Sequence, residues 1–518
     1  MPVKTRIVLG VALLAFLVVL ARNAWASDDA FITLRTVYNF LHGDGLRWNG
    51  AERVQTFTHP LWLFVLIPFY VAIRDPFFTL YTAGMVVSLL AVYILLAKFF
   101  PQPWSIPLAL AFVLSSKSFI DYSSSGLENP LSHLLALLFA GLLLQDTVPP
   151  SKRVFFLSLL AALSMLNRLD TLLLFLPALL LTIYETRKTI WQSGKWMALG
   201  FLPIILWEGF ALFYYGFPFP NTYYAKLTTG IPQSDLYRQG WLYFQNSLAW
   251  DHVTLPTIGL AVLLSLFSRE ARRASLALGI LLYLAYIVRI GGDFMSGRFF
   301  STVFALSVAL LGSLILSRRL ASRAVPALML AASALILLVG LTSTRPPLLV
   351  RAIGSKARME NGIADERTIY FKCCGLLNRW SRDWLPVVAQ DALEDKQNAT
   401  SIAFRESIGI YGFYAGPDVY LLDPLCLGDP LRARLPVTGD WRIGHFPRHV
   451  PAGYIETITN DFQNHIREPH LKEYYDKLLL VTRGDLFSAE RLKTILEFNL
   501  GVYDPLLEAY VLSRDWEQ

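Results

Sequence analysis

Apolar runs recur along the first two thirds of the chain, near 7–22, 61–73, 77–98, 104–120, 131–145, 154–166, 171–184, 196–215, 253–268, 274–290, 299–317 and 324–342. About 20 apolar residues span the ~30 Å hydrocarbon core of a bilayer as a helix, so these runs read as membrane-crossing candidates. The connections between them carry the topology. Lys152 and Arg153, then Arg187, Lys188 and Lys195, then Arg269, Arg272 and Arg273, then Arg318, Arg319 and Arg323 mark cytoplasmic loops by the positive-inside bias. The alternating, weakly charged connections then fall outside: 167–170, 216–252, 289–298 and everything after about 343. Twelve crossings from a cytoplasmic N-terminus would return the C-terminus to the cytoplasm. An odd number is required, and about eleven spans are expected, with 61–73 the weakest run. On this count the segment Ser123 to Pro130 also faces outward.

After residue 343 the pattern changes to frequent charges, Asn, Pro and Gly. Alternation at 418–423 and 477–482 predicts short strands, and 385–396 and 488–498 predict helices. The expected fold is therefore an α-helical polytopic membrane protein with a C-terminal extracytoplasmic mixed α/β domain, divided as 1–342 and 343–518. A segment of this size suffices for one domain with its own core.

Composition supports this division. Of the 518 residues, 54% are hydrophobic and only 16% charged, where soluble domains carry roughly 25% charge. The net charge of +7 resides in short loops and implies membrane orientation, with no nucleic acid partner. Three cysteines exclude a disulfide-dense scaffold, although one bridge to Cys426 is available on the outer side. No zinc spacing and no Gly-rich nucleotide loop is present. Lys4, Arg6, the run 7–21 and Ala24-Trp25-Ala26 resemble a secretory signal, and retention as an anchor is the favoured reading.

Five outward segments hold unusual polar residues. Asp28 and Asp29, with Arg35, directly follow the first apolar run. His59 and Pro60 precede the second. Glu128 and Asn129 lie in the Ser-Gly-Leu-Glu-Asn-Pro segment. Asn221, Tyr223, Tyr224 and Lys226 form the fourth group, and Asp293 and Arg298 the fifth. Each has an ordinary explanation, such as helix capping for the aspartates, an aromatic belt for the tyrosines, or snorkelling for Arg298. Arg168 and Asp170 can pair across a short turn. Together the five segments suggest one chemistry. Asp28 or Asp29 can take a proton from an attacking hydroxyl, with His59 or Glu128 orienting it. Lys226 and Arg298 suit a lipid-linked phosphate leaving group. Aromatic side chains offer faces for sugar rings. That combination describes glycosyl transfer from a polyprenyl-phosphate sugar on the outer leaflet, which needs no nucleotide donor.

The ordered motifs carry a resemblance. Asp28-Asp29-Ala-Phe-Ile-Thr-Leu-Arg35, then Asn39…Gly43-Asp-Gly45, Glu52-Arg53-Val54 and Thr58-His59-Pro60-Leu61-Trp62, resemble the GT-C superfamily of lipid-phosphosugar-dependent glycosyltransferases. The series is similar to the arabinofuranosyltransferase B type and to related membrane proteins, some named for flagellar motor control. Ser125 to Leu131, Asn221 to Lys226, Gly291 to Phe299, Gly412 to Pro430 and Arg442 to His445 fit the same group. The resemblance implies a transmembrane catalytic half, an extracytoplasmic C-terminal domain and a polyprenyl-phosphate pentose donor, arabinofuranose foremost. The acceptor would be a cell-envelope glycan or glycoprotein, and the location the bacterial inner (cytoplasmic) membrane.

The expected site therefore comprises Asp28 and Asp29 as catalytic groups. Lys226, Arg298 and Arg35 bind the donor phosphate, and His59, Glu128, Asn221, Tyr223, Tyr224 and Asp293 position the substrates. The sequence fixes no cofactor. A divalent cation, Mg2+ or Mn2+, between Asp28 and Asp29 is one option and a metal-free site the other. Membrane lipids are the remaining partner. In the C-terminal domain Arg405, Glu406, Asp423, Arg442 and His445 are the most site-like residues. Two other classes compete: a non-enzymatic membrane scaffold or motor-control protein, and a transporter. The second is disfavoured because the charges concentrate in outward loops and no internal repeat is present.

Overall fold

The computed structural model describes residues 2–145, 148–315, 324–343, 347, 359–381 and 385–513. Every apolar run is mainly helical over its described residues. The basic loop with Arg318, Arg319 and Arg323 lies outside the described residues. Among those described, four helices are long and apolar enough to cross a membrane: Val3–Asn23, Pro76–Phe99, Arg187–Tyr215 and Ala271–Arg289. Gln233–Trp250 and Thr254–Phe267, bent by 107° at their junction, make a fifth if counted as one broken span. The other apolar helices are shorter. Pro60–Ile73 has 14 residues with Pro68 inside it, about 21 Å at 1.5 Å per residue, below a full crossing. Run 104–120 is interrupted at Ser116, whose side chain caps Lys117–Tyr122 and leaves Ser105–Ser115 with 11 residues.

The chain groups into two compact units, each discontinuous in sequence: 1–27 with 59–204 and 233–384, and 28–58 with 205–232 and 385–518. The first is a helical bundle. Its helices approach closely where a side chain is missing: a Cβ on Gly279 would lie 2.0 Å from Leu174 O, so Ala271–Arg289 and Leu172–Glu185 cross in direct backbone contact. The segment 363–376 is sewn into this bundle. Ala364 N–H donates to Phe294 O (2.7 Å), and Cys374 O accepts from Ala26 N–H (2.9 Å) and the Tyr81 hydroxyl (2.7 Å). Asp121 and Asp365 share Lys117, and Arg367 reaches Asp121 at 2.8 Å.

The second unit is also mainly helical. Its sheet is a parallel pair, Ile402–Phe404 with Tyr420–Leu422, in the register Ile402↔Tyr420. The alternation at 418–423 therefore marks a real strand. The run 477–482 does not: it lies inside helix Pro469–Arg483. Its buried residues Leu471, Tyr474, Tyr475, Leu478, Val481 and Thr482 repeat at three and four, the period of a helix face, and the Glu468 side chain caps its start. Ile32, Trp48, Ala225, Tyr411, Leu421 and Cys426 share one core, so all three segments of this unit contribute to it. All three cysteines are free thiols, and no bridge to Cys426 forms.

Gly279→Ala is expected to destabilise the bundle by about 1–3 kcal/mol through overpacking. Gly259→Ala, where a Cβ would meet nothing within 4 Å, should stay within about 0.5 kcal/mol. Thermal unfolding of the detergent-solubilised protein reads both, and equal midpoints for the two variants would contradict the close crossing.

Candidate functional site

The acidic pair opens helix Asp28–Leu41, where carboxylates favour the helix dipole. The two side chains have different surroundings. Asp28 is buried, and its Oδ2 and Oδ1 accept the N–H groups of Gly409 (2.9 Å) and Ile410 (2.8 Å). These amides begin helix Gly409–Ala415, so Asp28 caps it from a distant part of the sequence. Only glycine fits at 409, because a Cβ there would lie 1.8 Å from Asp28 O. Burial pushes the Asp28 carboxyl up to about 6, the Ile410 amide opposes this, and neighbouring Asp29 adds to it. Asp29 is partly exposed and makes no hydrogen bond or ion pair with the described residues.

Arg35 lies about two turns further along the same helix and is 1% exposed. It donates to Trp48 O (2.9 Å), Gly412 O (3.1 Å), Val419 O (2.9 Å) and Asn49 Oδ1 (3.4 Å), and its guanidinium lies 4.6 Å from the Trp48 ring centre. A guanidinium committed to main-chain carbonyls inside a core cannot serve a lipid phosphate. Arg35 is thus a structural residue, correcting the donor-phosphate assignment. Asn221 is similarly engaged: its amide donates to Cys426 O, Leu427 O and Asp429 O at 3.0–3.1 Å, holding that loop.

The rest of this segment is more open. Tyr223 stacks on Phe219 with ring centres 4.5 Å apart. Tyr224 meets Arg434, whose guanidinium lies 4.0 Å from its ring centre and 4.2 Å from that of Phe217. Lys226 is partly exposed and close enough to His445 to act on it. Burial, then Arg442 and Lys226, push the His445 imidazole down to about 3, so it is neutral at physiological pH. Arg434 was not apparent as a site residue from the sequence; the aromatic Phe217-Pro-Phe-Pro segment it stacks on was its only signal.

The other candidates gather in the first unit around Glu128, which has no exposed surface. Its Oε1 accepts from Arg168 Nη1 (2.9 Å) and Arg298 Nη2 (3.0 Å), Arg298 Nη2 also reaches Oε2 (3.1 Å), and His59 Nδ1 lies 3.6 Å from Oε2. Arg298 Nη1 is 3.7 Å from Asp293 Oδ2. Burial would raise the Glu128 carboxyl, but Arg298, His59 and Arg168 overcome it and hold the group well below the usual carboxylate range. The Arg168–Asp170 pairing expected across the turn is present, bidentate at 3.1 and 2.7 Å. What the sequence did not reveal is that Arg168 also reaches Glu128, forty residues away. His59, Glu128, Asp293 and Arg298 are thus brought together, while Asp28, Asp29, Asn221, Tyr223, Tyr224 and Lys226 belong to the second unit.

A divalent cation on the aspartates fits poorly. Both Asp28 oxygens already accept backbone N–H groups, and among the described residues no three His, Cys, Asp or Glu side chains are grouped to hold a metal ion.

Glu128 and Asp28 should respond oppositely to pH. The folded-state pKa of Glu128 is depressed, so its contribution to stability is present above its unfolded value of about 4.3 and lost as pH falls through the folded value. Asp28 is raised from 3.8 to about 6, so its contribution is present below 3.8 and lost as pH rises through about 6. Stability measured between about pH 3 and pH 7 should fall less on acidification in Glu128→Gln than in wild type. Asp28→Asn should flatten the profile between 3.8 and about 6. Glu128→Ala should cost about 1–3 kcal/mol, because it removes the carboxylate that Arg168 and Arg298 share and leaves each with only its second acidic partner, Asp170 or Asp293.

No family model and no solved structure matches the chain. Two curated relatives do. The terminal beta-(1->2)-arabinofuranosyltransferase of Mycobacterium tuberculosis is 28% identical over 329 residues, which cover 54% of this chain and 50% of that protein. The protein of the same name from Corynebacterium glutamicum is 26% identical over 328 residues, 53% of this chain and 46% of its own length. The chain spans about half the length of the curated relatives it matches, and its similarity is to arabinofuranosyltransferases.

Proposed function

We propose that this protein is an integral-membrane glycosyltransferase that moves an arabinofuranosyl group from a polyprenyl-phosphate donor to an extracytoplasmic envelope glycan or glycoprotein. The similarity to two terminal beta-(1->2)-arabinofuranosyltransferases carries the reading. The different surroundings of the two aspartates support a division of labour. Asp29, partly exposed, is the general base. Asp28, bound to the Gly409 and Ile410 amides, positions it. The acceptor oxygen attacks the anomeric carbon of the donor sugar, its proton passes to Asp29, and the bond from that carbon to the phosphate oxygen breaks. Polyprenyl phosphate leaves with the bonding electron pair.

Lys226 is the proposed cation for this leaving group, since charge grows there in the transition state. Tyr223 and Tyr224 on the same helix, Asn221–Leu227, offer aromatic faces to a sugar ring. Within the first unit Arg298, held by Glu128 and Asp293, is a phosphate candidate in its own right. The loop charges support an inner-membrane protein of about eleven spans, with a cytoplasmic N-terminus and the segment after about 343 outside.

The test is transfer in proteoliposomes, using purified protein, synthetic polyprenyl-phosphate arabinofuranose and oligosaccharide acceptors. Asp29→Asn should lower product formation by about 10²–10⁴-fold, the range for loss of a positioned base. Lys226→Ala should reduce kcat/KM. Full transfer by Asp29→Asn would sink the mechanism, and no transfer by wild type to any acceptor would sink the activity.

A further inference from the structure

A cavity of about 650 Å³ opens at one end of the first unit, lined by Val148, Pro149, Arg153, Thr182, Glu185 and Arg272 among others. Three helices frame it: Pro150–Asn167 and Ala271–Arg289 begin there, and Leu172–Glu185 ends there. The Arg168–Asp170 turn joins the first and third of these at the far end. At 1.5 Å per residue the cavity and that turn lie roughly 20–27 Å apart along the helices, close to the thickness of a bilayer core. Ala271–Arg289, which is long and apolar enough to cross a membrane, begins at the cavity, and this directs the cavity toward one membrane surface.

Its surroundings have the chemistry of that surface. Arg153 is almost fully buried and Arg272 contacts Glu185 through Nε and Nη2, both at 3.3 Å, so two guanidinium groups and one carboxylate form the polar wall. Exposed Lys152, Arg187, Lys188 and Arg269 surround it on the adjoining segments. At the same end Tyr184, Trp191 and Phe267 are 63%, 87% and 76% exposed, the pattern of an aromatic belt at headgroup level. A pocket of drug-like size at this depth, with guanidinium on its wall and a cationic rim, suits an anion attached to an apolar tail.

We propose that this cavity holds the phosphate of an anionic phospholipid, bound by Arg153 and Arg272, with its acyl chains along the exposed Leu180 side of helix Leu172–Glu185. The site is independent of the transfer chemistry. It would tie the lipid composition of that leaflet to the helices whose opposite end carries Arg168.

The test is native mass spectrometry of the full-length protein in neutral detergent, with phosphatidylglycerol, phosphatidylcholine and glycerol 3-phosphate as separate probes. Phosphatidylglycerol should remain bound and phosphatidylcholine should not. Arg153→Gln with Arg272→Gln should reduce phosphatidylglycerol occupancy at least about tenfold, equivalent to about 1.4 kcal/mol, whereas Arg187→Gln on the rim should have a smaller effect. Val148→Trp, which fills the cavity and keeps both arginines, should also displace the lipid and decides the matter if the double variant fails to fold. Equal retention of the two lipids, or unchanged phosphatidylglycerol occupancy in the cavity variants, would overturn the site. Equal protection by glycerol 3-phosphate would overturn the lipid as its source and leave a soluble phosphate ester.

Discussion

The carboxylate of Asp28 and the amides of Gly409 and Ile410 form the contact on which the second unit depends. They join residues 381 and 382 positions apart. An N-terminal helix of 14 residues is thereby attached to a seven-residue helix that could not persist alone. Arg35 completes the attachment through three main-chain carbonyls. The arrangement requires glycine at both approach points: a Cβ at 409 would collide with Asp28 O, and one at 412 would lie 2.8 Å from Trp48. Asp28 and Arg35 are thus polar residues within a core, each bonded mainly to backbone groups, which is how buried charge is tolerated.

The same principle has a different outcome around Glu128. There the partners are side chains, and one carboxylate receives two guanidinium groups and faces an imidazole. Such a network defines the direction of each member more than it adds net stability, because desolvation offsets much of the Coulomb attraction. Arg298 is consequently presented at a fixed heading between Glu128 and Asp293, and Arg168 is fixed between Glu128 and Asp170, stacked 4.5 Å from the Phe299 ring centre. Fixed headings are what phosphate recognition by a guanidinium requires, and they give this cluster its functional interest.

Much of this was legible from sequence patterns. Apolar run length located the helices, since a backbone in hydrocarbon must satisfy its own hydrogen bonds. Four residues of the outward polar motifs, His59, Glu128, Asp293 and Arg298, share one network. Other residues were misread for identifiable reasons. Arg35 looked like a phosphate ligand because its carbonyl partners, Gly412 and Val419, leave no trace in side-chain identity. The run 477–482 looked like a strand because a short apolar stretch does not separate the two periods, and only the wider spacing from Leu471 to Val481 does.

The sequence by itself determined where the apolar helices lie, that the chain is built for a membrane, and which polar motifs resemble a lipid-phosphosugar glycosyltransferase. These properties are local or additive: hydropathy, loop charge and motif order need no knowledge of distant partners. Only the tertiary structure decided which carboxylate of the Asp28–Asp29 pair is bound by backbone amides and which is open. It also decided that 28–58 groups with the segment after 385, and that 359–381 groups with the bundle. Those outcomes depend on contacts hundreds of residues apart, where a backbone N–H or C=O looks the same beneath any side chain.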